Sequence, residues 1–336
     1  MDRKDFFHAL SHGSLTSLML FEGEEECLKQ EALTQLRNTV LPEGMEALNE
    51  AVLEDADTDQ LIAYAETQPF MSDHRLVIVR DYPALTGRSE ADDKLISWLP
   101  AVPDTTILLF YCTGKPDKRK KLYNAIKKHG EIVSFVPLRS TELVRFVTDA
   151  FKSNGKECDE RTAEFLIFTA GEDAGTLRTE ISKLSAYSGS RTDILASDIS
   201  ALTAPSAECT VFQMVDAVVT GQKSKALMLL RNQLLYGTDR MTILSMLLRH
   251  YRLLQHIEIM LYEKRSNDFI RSSLGVPSFA VEQYLRQAAG YTGGQIKNAV
   301  RICLDTEYAV KSGRIQLEGA AETVIIRLLM LQGKVL

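Results

Sequence analysis

Apolar residues follow two regimes along this chain. Up to about residue 139, short continuous apolar runs alternate with stretches in which apolar positions recur every three or four residues. Five of the runs read as strands: 17–22 (Ser-Leu-Met-Leu-Phe-Glu), 51–54, 75–80 (Arg-Leu-Val-Ile-Val-Arg), 105–111 (Thr-Thr-Ile-Leu-Leu-Phe-Tyr) and 132–135. Helices are expected over about 24–39 and 57–67, around Trp98 up to Pro100, and over about 117–129. Near-continuous apolar strands alternating with helices argue a parallel sheet covered on both faces.

After Pro137 the strand signal stops. Helices are expected over about 141–153, 159–169, 173–187 and 197–202, with Gly155, Gly171 and Gly189 at breaks where helix ends favour left-handed residues. Ala204-Pro205-Ser206 reads as a linker. Beyond it lie long apolar-striped segments, 226–235 and 241–264, and a remainder punctuated by Pro277, Gly293-Gly294 and Gly313. The expected architecture is α/β plus all-α, with domains over 1–139, 140–206 and 207–336. No short internal repeat and no low-complexity tract interrupts it.

Composition narrows the class. The longest apolar run, Ile107 to Cys112, has six residues, against the ~18 a membrane helix needs, so no membrane partner is expected. The start, Met-Asp-Arg-Lys-Asp, is charged and has no apolar stretch behind it, so no export signal and a cytoplasmic location are expected. The 5 cysteines are dispersed with no C-x-x-C, which fits reduced thiols and no metal centre. His8 and His12 have i,i+4 spacing but no third ligand nearby, and read as a solvated helix end. His250 and His256 are expected at the surface or at caps. The net charge of −6 hides a split. Residues 1–205 carry −11 and residues 206–336 carry +5, and residues 22–66 alone hold 13 acidic and 2 basic side chains. Different partners for the two ends are expected.

A first strand opening into a helix is where a phosphate-binding loop would sit, built from glycines, a lysine and a hydroxyl. Here the segment is Phe21-Glu-Gly-Glu-Glu-Glu-Cys-Leu-Lys29, with one glycine, three successive glutamates and no Lys-Ser/Thr pair. Each carboxylate would repel a triphosphate by ~1 kcal/mol or more. Asp81 lacks the neighbouring Glu that an ATPase would use to activate water, and reads as a loop or cap residue. No nucleophile elbow, zincin or dinucleotide motif is present. No cofactor and no catalytic residue are expected.

Two segments remain. Lys115-Pro-Asp-Lys-Arg-Lys-Lys121, continued by Lys127-Lys128, holds seven basic residues and one acidic one. Lys118, Arg119, Lys120 and Lys121 are candidate phosphate or partner contacts, a solvated helix face being the other reading. In Gln68-Pro-Phe-Met-Ser72, two large apolar residues, Phe70 and Met71, lie among turn-type residues. They either tuck into their own core or face a partner.

Read in order, these stretches resemble the delta subunits of bacterial DNA polymerase III clamp loaders. The matching residues are Pro69 to Asp81, Thr105 to Tyr111 with Asp117 to Tyr123, Gly171 to Tyr187, Val211-Phe-Gln-Met-Val-Asp-Ala217, Leu247 to Leu254 and Asp305 to Gly313. The resemblance implies an AAA+-like N-terminal domain without a working phosphate loop, a small helical lid and a C-terminal helical collar for oligomerisation. It implies no catalysis by this chain, the nucleotidyltransferase activity of the polymerase holoenzyme residing in other subunits. The Ser-Arg-Cys arginine finger of the motor subunits and the four-cysteine zinc module are absent.

The implied partners are the beta sliding clamp, the gamma/tau motor subunits and delta-prime in a hetero-pentameric loader, and primer–template DNA through that complex. The implied clamp-binding residues are Gln68, Pro69, Phe70 and Met71, with Phe70 as the hydrophobic anchor. Pro69 stands where the family's clamp-binding peptide has Leu, and Ala65 where it has Gln. Either Met71 supplies the missing aliphatic contact or the clamp pocket differs. An AAA+ ATPase with an atypical loop, or a helical assembly protein that does not bind a clamp, are the alternatives.

Overall fold

The computed structural model describes residues 1–87, 93–138, 141–274 and 278–332. Two compact units are present, Met1–Leu138 and Arg139–Leu336.

The first unit opens with α1 (Arg3–Ser11), β1 (Leu18–Gly23), α2 (Glu26–Val40) and α3 (Glu46–Asn49). It continues with β2 (Glu50–Glu54), α4 (Thr58–Glu66), β3 (Arg75–Arg80), α5 (Pro83–Thr86) and α6 (Asp93–Trp98). β4 (Thr106–Tyr111), α7 (Lys121–His129) and β5 (Glu131–Phe135) complete it. The five strands form one sheet in the order β2-β3-β4-β1-β5, and every pairing is parallel. Successive side chains of a strand point to opposite faces, and here both faces are dry. Leu18, Leu20, Val77, Val79, Leu108 and Phe110 pack with Leu61, Leu95, Leu122 and Ile126 from α4, α6 and α7. On the other face Phe21 meets Phe6 of α1, Phe135 and Tyr111, at ring-centroid distances of 5.2, 5.0 and 6.4 Å.

The basic helix starts at Lys121, four residues later than the sequence pattern suggests. Asp117 holds the preceding segment as a turn: its carbonyl accepts from the Lys120 N–H at 3.1 Å and its carboxylate from the Arg119 N–H at 3.0 Å. An Asp that satisfies the backbone this way competes with the first helical turn.

The second unit is helical. It comprises α8 (Thr141–Ser153), α9 (Glu160–Ala170), α10 (Ala174–Tyr187), α11 (Ala196–Leu202), α12 (Ala207–Val219) and α13 (Lys223–Leu235). α14 (Arg240–Tyr262), α15 (Asn267–Leu274), α16 (Ser278–Ala289), α17 (Gly293–Lys311) and α18 (Ala320–Gln332) follow. Asp159, Asp173, Ser206 and Asp239 cap α9, α10, α12 and α14, each accepting a backbone N–H three residues on. The segment 203–206 is non-helical, and the Ser206 N–H donates to Thr169 O at 2.6 Å, tying it to α9.

His250 is a correction. It lies on the inner face of α14, buried, with its ring 5.4 Å from Phe212 and 4.9 Å from Tyr284. Its Nε2 is 2.7 Å from Gln287 Oε1. Six residues turn a helix by about 240°, so His256 faces solvent while His250 faces the core. His8 and His12 stack at 4.1 Å, and His12 Nδ1 lies 2.8 Å from His8 O. Among the described residues, no cluster of three or more His, Cys, Asp or Glu could hold a metal ion. Among them, too, no helix is long and apolar enough to cross a membrane.

Candidate partner-docking tip and the loop after the first strand

The segment between α4 and β3 forms an exposed tip. α4 stops at Glu66, Thr67 turns extended, and Pro69 lacks the N–H needed to continue a helix. Phe70 and Met71 follow, 56% and 76% exposed, with Gln68 also exposed and Pro69 half-buried. Met71 has φ +49, a left-handed conformation uncommon for a non-glycine residue, within the bend that precedes β3. Ser72 Oγ donates to His74 O at 2.9 Å and closes the turn. Phe70 and Met71 do not tuck into the core of their own unit. Ala65 is fully buried on the inner side of α4, and its carbonyl accepts from Thr106 Oγ1 at 2.7 Å. A glutamine there would have to enter the core.

A residue the sequence did not point to holds this tip. Asn49, at the end of α3, is fully buried. Its Oδ1 accepts from the Phe70 N–H at 2.7 Å, and its Nδ2 donates to Phe70 O at 2.9 Å and to Met45 O at 3.2 Å.

The acidic stretch and the basic cluster meet. Lys118 Nζ lies 3.0 Å from the nearly buried Glu22, which also accepts from Ser134 Oγ at 2.8 Å. Lys115 pairs with Glu24 at 2.9 Å, Arg119 with Asp117 at 2.9 Å and Lys121 with Asp93 at 3.5 Å. The hydrogen bond from Arg119 lowers the Asp117 carboxyl to about 2, and the one to Glu22 raises the Lys118 ammonium. Much of the cluster's charge is thus met by carboxylates of the same unit.

The loop after β1 is closed from within. Gly23 has φ +119 and donates to Gly114 O at 2.8 Å, and a Cβ there would collide with the Phe135 backbone. Lys29 follows six residues later, the spacing of a phosphate-binding lysine after the first glycine of its loop. Leu28 and Gln30 stand where the second glycine and the hydroxyl would be. The Lys29 side chain is fully buried and turned inward, its Nζ donating to Cys112 O at 2.6 Å and pairing with Glu26 at 2.9 Å. Tyr111 donates its hydroxyl to Glu26 and accepts from Gln30 Nε2 at 2.9 Å. Burial, reinforced by Glu26, raises the Tyr111 phenol. Burial alone would raise the Glu26 carboxyl, but the bonds from Tyr111, Lys29 and Gln30 outweigh it and lower it. Burial likewise raises the neighbouring Cys112 thiol to about 12, so this thiol stays protonated. An ammonium committed to a core carbonyl and a carboxylate is not offered to a phosphate.

Comparison with known proteins gives the family of this chain. Residues 19–136 match the family model of the DNA polymerase III delta subunit, and residues 208–328 that of the delta subunit's C-terminal domain. The DNA polymerase III subunit delta of Bacillus subtilis is 27% identical over 334 residues, covering 97% of this chain and 96% of that protein. The solved structure of the Bacillus subtilis DNA clamp loader delta protein superposes with a TM-score of 0.54 at 25% identity, covering 98% of this chain and 99% of that one. With two models of one family together matching well over half of its length, the chain belongs to the DNA polymerase III delta-subunit family.

Proposed function

We propose that this chain is the clamp-binding subunit of a replicative clamp loader, docking the beta sliding clamp through the tip formed by Gln68, Pro69, Phe70 and Met71. The observation that carries this reading is the exposure of two adjacent large apolar side chains on a backbone that is itself pinned. Burying Phe70 in a partner's pocket would contribute about 1.5–3 kcal/mol, the size of an interface hot spot. Holding the ring open requires the tip to bind the opened clamp more tightly than the closed one. ATP bound to neighbouring subunits would expose or reposition the tip. Hydrolysis after primer–template DNA enters would release it.

Within this reading, residues 1–139 form an AAA+-like domain, 140–206 a helical lid and 207–336 the collar that joins gamma/tau and delta-prime subunits in the cytoplasm. ATP hydrolysis belongs to the motor subunits, and nucleotidyl transfer to other subunits of the polymerase holoenzyme. The inward-turned Lys29 and the glutamates around it support a chain that does not itself hydrolyse ATP. Lys118, Arg119, Lys120 and Lys121 are at most secondary phosphate contacts, because carboxylates already face several of them.

The test is the affinity of the full-length chain for its cognate clamp, measured by surface plasmon resonance. Phe70→Ala should weaken binding by about 10- to 100-fold. An unchanged affinity in a folded Phe70→Ala variant removes the tip as the docking site.

A further inference from the structure

We propose that Asn49 is a positioning residue for the docking tip: its side-chain amide presets the backbone of Phe70, so that the anchor is presented rather than found on binding. This rests on the reading of Phe70 as the anchor. It adds the residue that sets the anchor's geometry.

Asn49 lies immediately before β2, the edge strand, which pairs with β3 from Glu50↔Leu76 onward. Phe70 lies ahead of β3, beyond the end of that ladder. The Asn49 amide bridges the gap with two opposed hydrogen bonds to one residue, 2.7 Å from the Phe70 N–H and 2.9 Å to the Phe70 carbonyl. The orientation is chemically determined, since a reversed amide would face N–H to N–H and oxygen to oxygen. The amide is itself held. Its Nδ2 also donates to Met45 O at 3.2 Å, and Arg75 Nη1 donates to Leu48 O at 3.2 Å. Arg37 of α2 grips Glu50 through two bonds of 2.5 and 2.7 Å, fixing the residue on the other side. Asn49 is fully buried, so water does not replace this bridge in the folded state.

The consequence is energetic. Phe70 is exposed, and Met71 sits in a left-handed conformation that the backbone does not favour unaided. Without the bridge, the Phe70 N–H and carbonyl turn to solvent and the tip must be ordered at each encounter. Asn49 has no surface to offer a partner and acts through Phe70.

The experiment uses the full-length chain with Asn49→Ala, Phe70→Ala and the double variant. Asn49→Ser serves as a second probe, because its hydroxyl is too short to span Phe70. Amide hydrogen exchange is followed at Phe70 and at the β3 residues Leu76 and Val77, and affinity is measured for the cognate clamp. The expected result is lost protection at Phe70 with β3 unchanged. Affinity should fall about tenfold in either Asn49 variant. Removing Asn49 in the Phe70→Ala background should cost no further affinity. Retained protection at Phe70, or an Asn49 effect that persists in full without Phe70, overturns the positioning role. Lost protection at Phe70, with Phe70→Ala binding the clamp normally, overturns the docking reading instead.

Discussion

Lys29 offers the sharpest test of how the first unit is held together. Its side chain is fully buried, and its ammonium donates to Cys112 O at 2.6 Å and pairs with Glu26 at 2.9 Å. Lys29→Met keeps the unbranched stem but leaves the Cys112 carbonyl unpaired. The Glu26 carboxylate is partly exposed and can turn to water. The loss expected is that of one buried, charge-assisted bond, about 1–3 kcal/mol. Lys29→Ala loses the same bond and also empties the space of the stem, which raises the cost to about 3–5 kcal/mol. Urea unfolding reads this out directly. The chain has one tryptophan, Trp98, which lies in the same unit with its indole N–H donating to Glu66 at 2.8 Å, so its fluorescence reports that unit. The midpoint should shift in the order wild type, Met, Ala, at constant slope. A Lys29→Met variant as stable as wild type would refute the assignment of that bond. Equal losses in both variants would refute the packing contribution.

Two further outcomes follow from the same geometry. Burial lowers the His250 imidazole to about 4, against the opposing hydrogen bond to Gln287, while the unfolded chain titrates near 6.5. Between those values the unfolded state binds more protons, so stability of the helical unit is full above about 6.5. It falls as pH drops towards 4, by up to about 3 kcal/mol. Phe212, Tyr251, Tyr284 and Gln287 surround the ring and carry no charge in that window. His250→Gln should flatten the dependence in urea titrations followed by circular dichroism. At Gly23, substitution by Ala combines a disfavoured φ with a collision against the Phe135 backbone. It should cost about 3 kcal/mol or more, seen as a lowered Trp98 unfolding midpoint. A midpoint within error of wild type would contradict the collision.

What the sequence determined by itself is local. The runs at 75–80 and 105–111 are apolar at successive central positions, as a strand buried on both faces requires, and they became β3 and β4. The 3.6-residue stripes after Pro137 became helices because one face of each had to be covered. Phe70 and Met71 were visible as apolar residues in a turn, because the turn signals on either side of them are themselves local. Their direction was not. Whether they enter the core or leave it is settled in the tertiary structure, where Met71 is left-handed and Asn49, 21 residues from Phe70, bonds that residue's backbone.

The rest was decided by contacts between positions far apart. Lys29 has the spacing of a phosphate-binding lysine, but the carbonyl of Cys112, 83 residues on, holds it inward together with Glu26. Glu22 and Lys118 stand 96 residues apart and belong to what read as separate acidic and basic features, until adjacent strands brought them together. His250 read as a surface residue because periodicity gives a helix's apolar stripe but not whether a polar residue within it finds a partner. Gln287 supplied one, and the histidine went inside. Hydrophobic period is a property of one segment, whereas burying a charge or an amide requires a second segment to satisfy it. That pairing exists only once the chain has folded.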